Sequence, residues 1–385
     1  MLEVGFASVG AGYTTVLRSG GGAALIDFGG SSGAVALRGL ERISEPFYRG
    51  DYLRWPWWTA EPFSQLVISH PHADHYSGLL HLANVRRDRW RDRDLLREGA
   101  TFFHPVVPKE PEAQALVHYL MHLNNVISGL PEYALGRAVA ATSAGRVRRE
   151  PLWRGRHIEL GGAPVDVLWP PLELDDRCRT RLRRLVQEYE SVAEDAAAHG
   201  DDRLIRAVAA VRESSDDLRA EERLYGVSEE GQWQEFADDF SAQDDDESSR
   251  RHIFADPALE ARARRLRSAI SQGANYLSLV LATSPQRYVF LGDLDQSLHD
   301  EVTRDLLDED HEVILSAHHG THFGAGLKGL RSRFVVSSVG GRLARSVRDE
   351  YKAIGTHIRT DAVGDVVVSM TTDGTHLTTC SCDGI

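Results

Sequence analysis

Cysteine, lysine and long apolar runs are all scarce in this sequence, and each scarcity argues against a class of protein. The 385 residues include three cysteines, too few for a disulfide scaffold. No apolar run approaches the roughly 20 residues that a membrane-spanning helix needs, so no membrane partner is expected. The N-terminus lacks a basic region followed by a dense apolar core, which argues against a secretory signal. We therefore expect a reduced, cytoplasmic protein.

Positive charge is also in short supply. The 44 Lys and Arg residues, of which only three are lysine, are outnumbered by 57 Asp and Glu, for a net charge of −13. A protein that coats nucleic acid normally has a basic bias, so contact with nucleic acid must come from a local patch or a bound metal. The acidic excess is concentrated in residues 173–272, which hold 25 acidic residues against 16 arginines. Within them, 228–247 has nine acidic residues and no basic one, which predicts a solvated loop.

Strand signals fill both ends of the chain. Short runs of β-branched and aromatic residues, separated by Gly-rich turns, recur through the first 35 residues. FSQLVIS (63–69) is a further compact run, and similar runs return late in the chain, beginning with NYLSLVLAT (275–283). These runs predict one β-rich α/β domain formed by 1–171 and 273–385.

The middle of the chain has the pattern of helices. From about 176 to 226 the apolar residues fall at helical spacing. A further helix is predicted by FADPALEARARRLRSAI (254–270), because Asp256 can cap it and Pro257 suits its first turn. The sequence therefore predicts an acidic, mostly helical insertion at 172–272.

The stretch SHPHADHYSG (69–78) crowds metal ligands at the end of a predicted strand. Residues two apart on an extended chain point the same way, so His70 and His72 can share one ion. The chain then turns, and Asp74 with His75 can face a second ion. Imidazole and carboxylate suit zinc, manganese or iron rather than calcium or magnesium. Two such divalent metal ions about 3.5–4 Å apart form a clamp for hydrolysing phosphate esters or amides.

Further motifs follow in a definite order along the chain. They are LIDFGG with Asp27, the pair Asn275 and Ser278 before a strand, the G-D turn with Asp293, VILSAHHGTH with His318 and His319, and RTDAVG. With H-x-H-x-D-H, they resemble the metallo-β-lactamase superfamily, and most closely the metal-dependent hydrolase domain of ComEC-type competence proteins. The resemblance covers roughly 1–85, 155–171 and 273–375. It implies an αββα sandwich with a binuclear metal site at one edge between the sheets.

The resemblance also implies roles for the later residues. Asp293 is expected to bridge both ions, its charge offsetting theirs. One of the two consecutive histidines should be a ligand. We take His318 as that ligand because it continues a buried strand, and His319 as a group that donates a proton to the leaving group or holds substrate phosphate. Asp74 is expected to orient a hydroxide as well as to bind an ion.

Several residues keep two interpretations. His104 is either an additional ligand or a histidine at a strand end. His118 and His122, one helical turn apart, either bind metal or pack, and packing is favoured. The tryptophans of 53–62 either stack on a base or form a packed loop. Asp27 is expected to accept hydrogen bonds that orient the metal-binding loop.

Together these features predict a metal-dependent hydrolase in which a metal-bridging hydroxide attacks phosphorus. The expected substrate is a phosphodiester in nucleic acid or a nucleotide, and the resemblance alone implies it. The first alternative is a thioester, lactone or amide hydrolase of the same fold. The second is a catalytically weak module whose insertion binds a protein partner.

The sequence departs from the family's pattern: Ser77-Gly78 stands where many relatives have Gly-Gly, and the membrane helices of the competence proteins are absent. The late His-Pro of the family is replaced by RLARSVRDEY (342–351), which has no histidine. The insertion is foreign to the family's pattern. We expect it to act as a lid whose acidic loop disfavours long polyanions, or as a surface for a partner or for self-association.

Overall fold

The structure, a computed structural model, describes residues 1–20, 22–44, 62–88, 94–128, 134–213, 254, 256–285, 287–307 and 309–380. The tryptophans at 55–58 and the acidic segment 228–247 lie outside the described residues. The chain divides into two units. The first contains Met1–Pro105, Thr142–Pro170 and Ser278–Ile385, and the second contains Val106–Ala141 and Pro171–Leu277.

The strand runs of the sequence all fall in the first unit. The described strands are β1 Leu2–Phe6, β2 Thr14–Ser19, β3 Gly22–Phe28, β4 Phe63–Val67, β5 Leu96–Pro105, β6 Arg148–Leu152, β7 His157–Leu160, β8 Ala163–Trp169, β9 Val280–Thr283, β10 Tyr288–Phe290, β11 Asp310–Leu315, β12 Arg331–Ser337, β13 Thr356–Arg359, β14 Asp365–Thr371 and β15 Gly374–Cys380. The strand predicted over 275–283 begins only at Val280, because Asn275–Leu277 forms a 3₁₀ turn after the preceding helix.

The helices are divided between the units. Those described are α1 Gly33–Ser44, α2 Ala73–Asp88, α3 Pro111–Ser128, α4 Ala134–Ala141, α5 Asp176–Ala198, α6 Arg203–Glu213, α7 Pro257–Ala274, α8 His299–Val302 and α9 Thr360–Val363. None of these described helices is long and apolar enough to cross a bilayer.

The strands of the first unit form two sheets. One has the order β15-β14-β1-β2-β3-β4-β5-β6, and the other the order β13-β12-β11-β10-β9-β8-β7. Each sheet is antiparallel on one side and parallel on the other, as along β3-β4-β5-β6 and β10-β11-β12-β13. Because the parallel strands all end at one edge of their sheet, loops that follow β4, β10 and β11 can bring polar side chains together.

Apolar side chains from both sheets form a single core. Val4 and Phe6 on β1 alternate with outward residues, as the two-residue period of a strand requires, and Phe290 and Val336 come from the other sheet. The ring of Phe6 lies edge-on to Tyr288 at 6.1 Å. Helices α1 and α2 pack on the outside of the eight-stranded sheet. The predicted two-sheet α/β sandwich is therefore confirmed.

The second unit is a bundle in which α5 packs against α3, α6 and α7. The rings of Tyr119 and Tyr189 stack at 4.0 Å with an angle of 5° between their planes. The cap predicted for α7 is confirmed: Asp256 accepts hydrogen bonds from two backbone N–H groups, and Pro257 begins the helix. Residues 106–141, which the sequence predicts as part of the hydrolase domain, cluster with this unit, because α3 packs on α5 and α7.

Candidate metal centre

The H-x-H-x-D-H motif forms a tight turn between β4 and α2. Its first two histidines precede the helix, with His70 Nε2 2.7 Å from His72 Nδ1. The turn closes where His75 N donates to His72 O at 2.9 Å, so that Asp74 and His75 lie in the first turn of α2. Leu279 N donates to Ser69 O at 2.9 Å and ties this turn to the chain that enters β9.

Glycines let two other loops approach the backbone of Asp74. A Cβ at Gly29 would lie 2.0 Å from Asp74 O, and one at Gly12 would lie 2.5 Å from the same oxygen. Gly12 also has a φ of +130°, a conformation that other residues rarely adopt. Gly29, the first glycine of LIDFGG, is therefore required because the backbone of Asp74 comes too close for any side chain there.

Asp27 holds the metal-binding turn through a set of buried hydrogen bonds. Its Oδ1 accepts from Ser69 N, and its Oδ2 accepts from Ser69 Oγ and from His75 Nδ1, each at 2.7 Å. A carboxylate that accepts from one nitrogen of an imidazole fixes the tautomer and leaves the other nitrogen as a ligand. The hydrogen bonds expected of Asp27 are thus present, and they direct His75 Nε2 into the site.

Asp293 reaches the site through the G-D turn after β10. Gly292 has a φ of +52°, and a Cβ there would lie 2.5 Å from Ser278 Oγ. That hydroxyl accepts a hydrogen bond from Asp293 N at 2.9 Å. The serine before β9 therefore fixes the backbone of the aspartate, which gives a physical reason for pairing these two motifs.

The carboxylate of Asp293 lies among four imidazoles. Its Oδ2 is 3.7 Å from His70 Nε2, 3.5 Å from His75 Nε2, 3.7 Å from His318 Nε2 and 3.8 Å from His319 Nε2. Burial by itself would raise the pKa of Asp293, but the imidazoles of His318, His319 and His75 hold that pKa well below its usual range. Asp293 is therefore an anion in the position expected of a bridging ligand.

Two of the imidazoles, those of His75 and His319, respond to the carboxylates in the opposite sense, whereas burial lowers the pKa values of His70, His72 and His318. Burial lowers the pKa of His75, but Asp27, Asp293 and Asp74 raise it well above the ordinary value. His319 behaves in the same way, because Asp293 and Asp74 raise its pKa against the effect of burial. The site thus attracts positive charge, which a metal ion would supply.

The two consecutive histidines after β11 point in different directions because both have left-handed backbones. His318 has a φ of 47° and His319 a φ of 57°. His319 is buried, with Nε2 3.4 Å from Asp74 Oδ2. The side chain of His318 is 27% exposed, and its Nδ1 lies 3.2 Å from His322 Nδ1. The left-handed turn therefore separates a buried histidine from one that faces solvent.

Two groups of described side chains can each hold an ion. One consists of His70, His72 and Asp293, and the other of Asp74, His75 and His319, with the ligand atoms of each group within 4.8 Å of one another. The sequence predicts His318 as the ligand and His319 as the donor. Of these two histidines, only His319 belongs to one of the groups, and β11 ends at Leu315, so the chain does not continue as a strand to His318.

Unsatisfied polar atoms show that this donor set fits a cation. Among the described residues, His75 Nε2, Asp293 Oδ1 and His319 Nε2 are buried without a hydrogen-bond partner. An unsatisfied buried polar group costs about 1–3 kcal/mol, so three in one site call for a missing partner. Divalent ions bound by imidazole and carboxylate would satisfy all three.

The remaining candidate histidines lie outside both groups. His104 is buried at the end of β5, where its Nδ1 donates to Pro105 O at 2.9 Å. His122 belongs to the helical unit and bonds Arg203 O through Nε2 at 2.8 Å. His118 lies on the same helix, α3, and neither it nor His122 is in a ligand group among the described residues.

Two tyrosines that the sequence did not single out also contact this site. Tyr13 stacks on the ring of His319 with centroids 4.4 Å apart and lies edge-on to His75 at 5.1 Å. The hydroxyl of Tyr351 forms hydrogen bonds with the backbone of Ala317 and His322, on either side of His318. Both are distant in sequence from the residues they contact, and no local pattern marks them.

The chain is similar in part to known proteins. Residues 7–167 match the model of the Metallo-beta-lactamase superfamily, a stretch that contains H-x-H-x-D-H and ends before Asp293. No curated protein matches the chain. Among solved structures, the metallo-beta-lactamase fold protein YhfI from Bacillus subtilis is similar at 9% identity, covering 93% of this chain and 96% of that chain with a TM-score of 0.36. The match over 7–167 and the two-sheet sandwich support a metallo-beta-lactamase superfamily domain, which implies a metal-dependent hydrolase.

Proposed function

We propose that the protein is a binuclear metal-dependent phosphodiesterase that acts on nucleic acid or nucleotides. The observation that carries the binuclear site is the position of Asp293 Oδ2, within 3.8 Å of the Nε2 atoms of four histidines. The substrate class is supported by the order of the later motifs, which resembles that of ComEC-type hydrolase domains. A cytoplasmic location is part of the proposal, because three cysteines in 385 residues are too few for the disulfide scaffold of a secreted protein.

Two sets of residues would each hold one ion. His70, His72 and Asp293 would hold one ion, and Asp74, His75 and His319 the other. Oδ2 of Asp293 also lies 3.5 Å from His75 Nε2 and 3.8 Å from His319 Nε2 in the second group. Zinc or manganese, and also iron, suit these donors. When bound, such ions act as Lewis acids toward phosphoryl oxygens and supply a nucleophile at neutral pH.

His318 takes the role of contacting the substrate. Its ring is partly exposed, with Nε2 3.7 Å from Asp293 Oδ2. The contact between its Nδ1 and His322 Nδ1 fixes the orientation of the ring. A neutral imidazole held in this way can donate one hydrogen bond to a substrate oxygen at the edge of the metal centre. The sequence predicts this role for His319, but His319 is buried with its Nε2 3.4 Å from Asp74 Oδ2, which supports a ligand role for it instead.

The test is to incubate the protein, loaded separately with zinc, manganese or iron, with linear DNA, circular DNA, RNA and cyclic nucleotides. We expect phosphodiester cleavage that depends on metal. The His72→Ala variant should lose this cleavage and should also lose at least one bound ion. The matched control is His376→Ala, because His376 is exposed on β15. It should retain both ions and full activity.

Parallel reactions separate the alternative functions. Cleavage of thioesters or lactones without cleavage of any phosphodiester would identify an acyl hydrolase of the same fold and overturn the proposed substrate. Full metal content in both His70→Ala and His72→Ala would overturn the metal centre. A protein that binds no metal and cleaves none of these substrates would fit the partner-binding module instead.

A further inference from the structure

Tyr13 bridges two backbone groups of the histidine loop, defined here as residues 316–322. Its hydroxyl donates to Ser316 O at 3.0 Å and accepts from His319 N–H at 2.6 Å. Tyr13 precedes β2, so it reaches the loop from the other sheet. The hydroxyl therefore ties together the backbone on both sides of the two left-handed residues.

Tyr351 makes a second bridge to the same loop. Its hydroxyl accepts from Ala317 N–H at 3.0 Å and donates to His322 O at 2.6 Å. Its ring packs edge-on against Phe323, with centroids 5.0 Å apart. The histidine loop is thus held by two buried hydroxyls that come from outside it, and each one both donates and accepts.

The backbone of the histidine loop needs such support. A left-handed conformation is uncommon for residues other than glycine, and here His318 and His319 adopt it in succession. Strained backbone of this kind persists only where the surroundings determine it, and it occurs preferentially at functional sites. If the loop relaxed to ordinary backbone angles, the rings of both histidines would change direction.

We propose that Tyr13 and Tyr351 are positioning residues of the metal centre. Their hydroxyls hold the left-handed turn, which places His319 beside Asp74 as a ligand and keeps His318 at the exposed side. The inference rests on the metal centre of the proposed function but not on its substrate. It assigns a role to two residues that are neither ligands nor substrate contacts.

Phenylalanine variants isolate the hydroxyl groups. Tyr13→Phe keeps the ring that stacks on His319 but leaves His319 N–H without its acceptor and Ser316 O without its donor. Tyr288→Phe is the matched control. Tyr288 is equally buried in the same unit, yet its hydroxyl has no hydrogen-bond partner among the described residues. Loss of that hydroxyl changes no contact with the histidine loop.

The experiment measures binding of Zn²⁺ alone, and of Co²⁺ as a spectroscopic probe, to the full chain of each variant. The second ion is the one that Asp74, His75 and His319 would hold. We expect Tyr13→Phe and Tyr351→Phe to bind it about 10- to 100-fold more weakly, the range typical of residues that orient a ligand. The Co²⁺ absorption of that ion should shift, while the first ion and the Tyr288→Phe protein stay unchanged. A merely structural role would lower the unfolding temperature without changing the Co²⁺ spectrum.

Either of two results would overturn the inference. One is wild-type affinity for both ions in both Tyr13→Phe and Tyr351→Phe. The other is an equal loss of affinity in Tyr288→Phe. If Tyr13→Phe does not fold, Tyr351→Phe decides the question by the same measurement. Because metal binding is the readout, failure to cleave phosphodiesters would refute the proposed substrate and leave this test intact.

Discussion

Oδ2 of Asp27 accepts a hydrogen bond from Nδ1 of His75 at 2.7 Å, which joins two motifs that lie 48 residues apart in the chain. Asp27 itself has a left-handed backbone with a φ of 53°. Thus all three non-glycine residues with positive φ in the described part of the chain, namely Asp27, His318 and His319, belong to this site. Strained backbone conformations therefore occur at the residues that orient the side chains of the metal centre.

The first prediction concerns the charge of Asp27. In Asp27→Asn, the amide is a weaker acceptor for His75 Nδ1, so the second ion should bind about 10- to 100-fold more weakly. Competition with a metal chelator measures this change. The matched control is Asp166→Asn, because Asp166 bonds His157 Nδ1 in a partly exposed pair that includes no ligand-group residue. Equal affinity in Asp27→Asn and wild type would show that Asp27 is only structural.

The second prediction concerns the central carboxylate. Asp293→Asn removes the charge that faces four imidazoles while keeping nearly the same volume. Substituting a residue that only orients a metal ligand typically lowers activity by up to about 100-fold. Turnover in Asp293→Asn should fall by more than that, because Asp293 is itself an expected ligand. The fold should be kept, because Asp293 N still donates to Ser278 Oγ.

A nearby aspartate provides the control for that substitution. Asp295 is also buried, and it accepts from Ser297 N at 3.0 Å, but it belongs to neither ligand group. Asp295→Asn should therefore retain turnover within a few-fold of wild type. Near wild-type turnover in Asp293→Asn, measured beside this control, would show that the G-D turn has been assigned wrongly.

The third prediction is a pH dependence of stability that comes from His104. Burial, followed by the smaller effect of Arg149, lowers the pKa of His104 to about 3. Between pH 6.5 and 3 the unfolded chain therefore binds a proton that the folded chain does not, and stability falls as the pH falls. At pH 5, about 1.5 units below the unfolded pKa, the loss is on the order of 2 kcal/mol at 1.36 kcal/mol per unit.

Denaturant unfolding of the metal-free protein at pH 7.5 and pH 5 measures this effect. In His104→Gln the difference in unfolding free energy between the two pH values should shrink by about that 2 kcal/mol. His376→Gln, at an exposed position, should leave the difference as in wild type. An undiminished difference in His104→Gln would show that His104 is not the source.

The sequence predicted the parts of the site that depend on local pattern. His70, His72, Asp74 and His75 follow a strand within six positions, and the structure brings them together there. The choice between His318 and His319 was wrongly argued from strand continuity, because the strand ends at Leu315 and the next turn is left-handed. That turn depends on contacts with distant residues, which a one-dimensional pattern does not contain.

The helical unit contains a chain segment that the predicted insertion does not include. The predicted insertion begins at 172, whereas the apolar side of α3 is buried within the helical unit. Two chain segments far apart in sequence thus build one bundle. Helix α1 was also missed, although its buried residues Leu37, Leu40 and Ile43 fall at helical spacing.

The bundle determines how the insertion can be tested. Replacing 176–268 with a linker would remove α5 and α6 and most of α7, and would uncover Leu116, Leu120 and Leu123 of α3, which are now buried. Such a protein would expose an apolar surface and aggregate. A charge substitution that leaves the bundle whole is the better experiment.

The fourth prediction therefore concerns the nine acidic residues of 228–247. If the insertion is a lid, replacing them with Asn and Gln removes repulsion of polyanions, so KM for long DNA should fall relative to KM for short nucleotides. The difference between variant and wild type should be largest at low salt and shrink as ionic strength rises, because salt screens exposed charges beyond about 10 Å at 0.1 M. Neutralising Asp305 and Asp310, which are exposed outside the insertion, is the control. Unchanged discrimination at low salt would rule out the lid, and a changed oligomeric state in the variant would identify the segment as a contact surface instead.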